Sequence, residues 1–174
     1  MLNLKIVNFF CLKKHSNNSL NFNFRGWEIQ MFGMTKLQFL KRSAKCMDET
    51  GGLLLLLKEI IDNEVQGKII NQDASKRIDI IRKEIESIFY KFEKLNPPSQ
   101  CDSLKQKILN ILINMQEIVV IDSEYLSAVK EGLNEPSKNK LKESKEQLER
   151  FRKDFYDVTD RVNILLTETK KGKS

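Results

Sequence analysis

The 174-residue chain has little of what breaks helices and little of what holds metals. Seven glycines and three prolines are too few for a turn-rich β fold. The single histidine, His15, and the three cysteines, Cys11, Cys46 and Cys101, lie far apart. They form no CxxC pair and no zinc-ligand spacing, so no metal is expected. The thiols read as reduced, which points to a cytoplasmic protein. No GxxxxGK[ST] or GxGxxG loop is present, and with it goes the phosphate cradle of the common nucleotide sites. A Ser/His/Asp or Cys/His site would have to recruit His15 from a polar N-terminal stretch, and the Glu-x-x-His pairs of a di-iron bundle cannot be made. No catalytic residue and no cofactor are expected. The longest apolar run, Leu53–Leu57, is far short of a bilayer span. In the hydrophobic opening the Lys13–Lys14 pair follows the apolar part and no small-residue cleavage site comes after it, unlike a secretory signal.

What is abundant is charge, at 31%, beside 40% hydrophobic residues, a balance suited to one domain of long helices around a core. The net charge of +6 is unevenly placed. Residues 1–47 hold eight Lys/Arg against one Glu, whereas residues 48–174 hold 22 Lys/Arg against 23 Asp/Glu. The body is therefore electrically balanced, and nucleic acid is not the expected partner. The exception is Lys36–Lys45, where Lys36, Lys41, Arg42 and Lys45 are a candidate electrostatic contact for anionic lipid or a phosphate backbone. The same residues also read as the polar face of a first helix with Leu37 and Leu40 turned inward.

Asn, Phe, Leu, Lys and Ile make up 18 of the first 24 residues, with no helical or alternating period. AT-rich DNA read through any open frame gives such a composition. Arg25-Gly26-Trp27, with purine-rich codons just ahead of Met31 and Met34, resembles a translated ribosome-binding site of a bacterial gene. The expectation is a disordered tail or mis-assigned start over 1–33, one helical-bundle domain over 34–169, and a basic frayed C-terminus over 170–174.

From Thr35 the sequence becomes periodic. Leu37, Leu40, Ala44 and Met47 form a first stripe; Gly51-Gly52 is expected to interrupt the helix, at about 2 kcal/mol of lost propensity. Leu53–Val65 resumes as a helix so apolar that neighbours should enclose it. A second helix opens near Asp73 and carries Ile78, Ile81, Ile85, Ile88, Phe92 and Leu95, a heptad seam ended by Asn96-Pro97-Pro98. A third opens at Ser99 and Asp102, which resemble a capping box, and carries Leu104, Ile108, Ile111, Met115, Ile118, Asp122, Tyr125 and Val129. Gly132 and Asn134-Glu135-Pro136 should stop it. The fourth begins at Ser137 with Leu141, Ser144, Leu148, Phe151, Phe155, Val158, Val162 and Leu165, and its outer face offers Glu146–Arg150, Glu149–Lys153 and Asp157–Arg161 pairs. Long helices on short connections predict an all-α, antiparallel up-down bundle of four, with an elongated three-helix bundle crossed by the leucine-rich helix as the alternative. Tyr90, Tyr125 and Tyr156, spread over three helices, read as rim residues rather than a base-stacking platform.

Asp122 is the charged residue on an otherwise apolar stripe. Heptad counting turns it inward as a core polar or register residue, or as part of a polar pocket for a partner. A three-residue stride from Ile118 through Ile121 to Tyr125 instead rotates it to the surface, sparing the bundle an unpaired buried carboxylate.

The stretch EKLNPPSQCDSLKQKILNILINMQEIVVIDSEYLSAVKEGL, residues 93–133, resembles helical domains of uncharacterised Gram-positive bacterial proteins, many of them lipoprotein-type. A helix ending in a Pro-Pro turn, a Leu-Lys opening to the next helix and a long final helix carry the likeness, over roughly Asp73–Glu168. The chain shows neither the lipobox nor the signal sequence of those proteins, and the resemblance brings no catalytic residues. The expected function is therefore non-enzymatic, through an unknown protein partner or a homo-oligomer. The alternative is a peripheral membrane- or nucleic-acid-associated accessory protein using Lys36–Lys45.

Overall fold

The computed structural model describes residues 34–68 and 71–172; the expected tail and alternative start over 1–33, with Cys11 and His15, lie outside them. Four long helices, α1 (Lys36–Val65), α2 (Asn71–Glu93), α3 (Asp102–Lys130) and α4 (Asn134–Lys171), account for nearly all of this chain, with a 3₁₀ turn at Ser99–Cys101 and no strand among the described residues. Helices α1 and α3 each pack against both α2 and α4, so the chain runs round a four-membered ring. Cross-helix contacts fix the directions. Phe39 meets Phe92 with ring centroids 5.9 Å apart, while Arg77 pairs with Glu59 at 3.1 Å, so α1 and α2 are antiparallel. Lys140 pairs with Glu124 at 2.9 Å and Ser144 bonds Asp122, making α3 and α4 antiparallel as well. This is the up-down bundle that the heptad stripes predict.

The stripes bury as their spacing requires. Ile78, Ile81, Ile85, Ile88 and Phe92 of α2 are all core residues, and so are Leu148, Phe151, Phe155 and Val162 of α4. On α3 the buried face is wider than a single seam, because Leu112, Val119 and Leu126 join Ile108, Met115 and Ile118 inside. A side chain such as Met115, fully enclosed, contributes about 1.5–3 kcal/mol by leaving water.

Several local expectations are corrected. Helix α1 passes through Gly51-Gly52 without a break. A Cβ on Gly51 would stand 3.3 Å from Cζ of Phe155, so the missing side chain lets α4 press its aromatic ring against α1. Tertiary packing at Phe155, with Leu54 and Leu57 in the core, offsets the propensity loss. The leucine run is not enclosed on all faces: Leu54 and Leu57 are buried, but Leu55 is 66% exposed and Leu56 44%. The Ser99–Asp102 capping box does not form. Helix α3 follows the 3₁₀ turn directly, with Cys101 at the cap and no side-chain bond there. The box is instead at Thr35, whose hydroxyl accepts from the Gln38 N–H while Gln38 Oε1 accepts from the Thr35 N–H.

Helix α3 ends at Lys130 with Gly132 at φ +75°, and α1 ends at Val65 with Gly67 at φ +64°. Both are left-handed glycine caps carrying two reverse bonds, Leu133 N to Ala128 O with Gly132 N to Val129 O, and Lys68 N to Asn63 O with Gly67 N to Glu64 O. Asn134-Glu135-Pro136, expected as a stop, is the first turn of α4, where a proline lacks nothing because that N–H has no helical partner. Helix α4 continues to Lys171, into the basic end. On its outer face Arg150 reaches Glu146 at 3.7 Å, whereas Glu149 turns to Arg152 rather than Lys153. No helix among the described residues is long and apolar enough to cross a membrane.

Candidate functional site

Asp122 points into the bundle and is fully buried, so the three-residue slip that would carry it to the surface does not occur. Its position follows from unbroken heptad spacing, Ile111, Ile118 and Tyr125 marking the same stripe. On α4 the stripe places Ser144 opposite, also fully buried, and Ser144 Oγ donates to Asp122 Oδ1 at 3.1 Å. The third member comes from α1. Ser43, Thr50, Leu57 and Glu64 recur every seven residues and are all buried, which brings the Glu64 carboxyl to Asp122 from the end of its helix.

Electrostatics decides how two carboxyls share this space. Burial first, and then the negative charge of Asp122, together raise the Glu64 acid to about 9. Asp122 is raised less, to about 6, because hydrogen bonds from Ser144 and Glu64 favour its charged form against burial. Near neutral pH, Glu64 holds the proton and donates it to an Asp122 carboxylate that also accepts from Ser144. Without that proton, both Glu64 oxygens and Asp122 Oδ2 would lack any partner. Tyr125, partly buried on the same helix face, is held above its ordinary range by burial and by both acids. No group of three or more metal-ligating side chains occurs among the described residues.

The four basic candidates do not form one patch. At 100° per residue, Lys41, Arg42 and Lys45 share an exposed arc of α1. Lys36 lies on the opposite side, partly buried; burial raises the Cys101 thiol above its ordinary value, and the charge of Lys36 offsets only part of that rise. Arg42 and Lys45 instead meet Lys91 of α2 around a cleft of about 440 Å³ between the two helices, over Cys46, Ile88, Phe92 and Leu95, with Glu49 on the rim. The Cys46 thiol is buried and pushed up to about 12, chiefly by desolvation, which makes it an inert packing group. Sequence reasoning reached Arg42 and Lys45 but not Lys91, because the α1–α2 pairing that joins them is a property of the fold.

A third feature lies on the α1–α4 seam. Gly51 and Gly52 open a notch of about 320 Å³ bordered by Leu55, Phe155, Tyr156 and Thr159, with Leu55 and Tyr156 (50% exposed) at its mouth. Tyr90 and Tyr156 are both exposed, on different helices, so the tyrosines make no common platform. Compared with protein-family models, with curated proteins and with solved structures, the chain matches none.

Proposed function

We propose that this chain is a non-enzymatic helical-bundle protein that works by holding a protein partner or a second copy of itself. The observation that supports this reading is the α1–α4 seam, where Phe155 fills the space left by Gly51 but Gly52 leaves an opening beside Leu55 and Tyr156, which stand out into solvent. Nothing lies within 4 Å of a Cβ added at Gly52, so the space beside it is open. An aliphatic and an aromatic anchor beside such an opening match the composition of interface cores. The titratable pair Glu64–Asp122 is sealed from solvent, whereas a general acid or base must come within hydrogen-bond reach of a substrate. The free thiols of Cys46 and Cys101 support a reducing, cytoplasmic setting.

The test compares the wild type with a Leu55→Lys/Tyr156→Lys double variant by light scattering across a concentration series and by chemical cross-linking with cell extract. Both side chains are largely exposed, so the thermal melt should stay within about 4 °C. Loss of a wild-type dimer, or of one specific cross-linked product, in the double variant supports the reading. A wild type that is monomeric throughout and yields no product sensitive to this substitution refutes it.

A further inference from the structure

We propose that the cleft between α1 and α2 is a binding site for a single-chain amphiphile with an anionic head, such as a fatty-acid carboxylate. Its walls separate the two chemistries such a molecule carries. Cys46, Ile88 and Phe92, each at most 7% exposed, form an apolar floor, and Leu95 stands at the end beside the Pro97-Pro98 turn. Arg42 on one helix and Lys91 on the other flank that floor, and neither has a carboxylate within ion-pair distance among the described residues. Lys45 is the third cation, held loosely by Glu49 at 3.7 Å and largely exposed. The cleft thus offers two positive charges on opposite walls, neither ion-paired among the described residues, over a hydrocarbon surface.

An anionic head set between Arg42 and Lys91 gains charge-assisted hydrogen bonds, the guanidinium being suited to grip a carboxylate through two parallel N–H donors. The tail gains by covering the floor. The volume of about 440 Å³ falls in the ~300–1,000 Å³ range of small-ligand clefts. The size also argues against a docked helix. Arg42–Glu49 and Ile88–Leu95 each span two turns, about 10 Å, whereas a helix with its side chains is ~10–12 Å across and needs a groove running along its length. This inference is independent of the α1–α4 notch and stands or falls separately.

The experiment titrates the full chain with dodecanoate, kept below its micelle concentration, by calorimetry and by methyl NMR. Dodecyl maltoside supplies the tail without the charge, and acetate the charge without the tail. The expected result is saturable one-to-one binding of dodecanoate, with the methyl signals of Ile88 and Leu95 shifting. Dodecyl maltoside and acetate should each bind at least tenfold more weakly. An Arg42→Glu/Lys91→Glu variant, altered only at exposed positions, should keep its melt and lose at least tenfold in affinity. Equal affinity in that variant would overturn the proposal, as would saturation without shifts at Ile88 and Leu95. Failure of dodecanoate to bind would also overturn it, including the case where an acidic amphipathic peptide binds the cleft instead.

Discussion

Ser144 of α4 donates its hydroxyl proton to Asp122 of α3 across 3.1 Å, and both side chains are wholly excluded from solvent. A hydroxyl that stabilises a buried carboxylate is worth more when the acceptor is charged, about 1.5–3 kcal/mol. Ser144→Ala should therefore destabilise the bundle by roughly that amount at pH 8, and by less at pH 5, where Asp122 is protonated. Urea melts at the two pH values measure the difference; an equal loss at both would show that Ser144 contributes by packing alone.

Stability should rise as the solution is made mildly acidic. Both carboxyls have folded-state values above their ordinary 3.8 and 4.5, reaching about 6 for Asp122 and about 9 for Glu64. Such groups contribute fully below the ordinary values, and their contribution is lost as pH climbs through the folded ones. The melting temperature should fall steadily from about pH 5 to pH 9, most steeply up to about pH 6, where both groups contribute. Glu64→Gln, which keeps a donor for Asp122 and cannot ionise, should remove the decline above about pH 6. A melting temperature that is flat from pH 5 to 9 in the wild type contradicts this.

The adjacent glycines of α1 should respond differently to alanine. Gly52 is open on its outer side, so Gly52→Ala should gain about 1 kcal/mol of helix propensity, raising the melting temperature by about 2–4 °C. Gly51→Ala places its methyl 3.3 Å from the Phe155 ring, which must shift to admit it, and should gain less or lose. Thermal melts of the two single variants give the comparison directly; a larger gain at Gly51 would mean that the ring yields freely.

Gly132 caps α3 at φ +75°, in the left-handed region where a side chain is costly. Gly132→Ala should cost about 1–2 kcal/mol although nothing lies within 4 Å of the new methyl group. Chemical denaturation at neutral pH measures it, and an unchanged midpoint would show that the α3–α4 turn adopts another conformation.

How far these features can be read from the chain depends on the distance between the interacting residues. The stripes of α2 and α4 are local repeats of threes and fours whose central positions bury as counted, while Leu95, past the end of α2, and Leu141, Val158 and Leu165 are only partly buried. Gly51-Gly52 is misread from sequence because the residue that makes helix tolerable there, Phe155, lies more than a hundred positions away. The capping box at Ser99 is plausible by spacing, but the Pro97-Pro98 turn leads into a 3₁₀ turn that occupies the cap position. Asp122 is ambiguous because a three-residue stride through Ile121 avoids burying an unpaired acid. The ambiguity is removed by Glu64, whose seven-residue spacing from Leu57 was available as a signal. What the sequence does not contain is which helix faces which, and that alone joins Glu64 to Asp122, or Lys91 to Arg42.

The two glycine caps lie at one end of the bundle, because α1 and α3 run in the same direction and both terminate there. Glu64 sits in the last turn of α1, within three residues of Gly67. The aromatic contact of Phe39 with Phe92 lies toward the opposite end, beside the Pro-Pro turn. The bundle is therefore polarised along its length. The end with the glycine turns is sensitive to protons, while the aromatic end is held by hydrocarbon whose contribution does not titrate. Under alkaline conditions the bundle should loosen from the glycine end first, the amides of the final α1 turn exchanging with solvent while those around Phe39 remain protected.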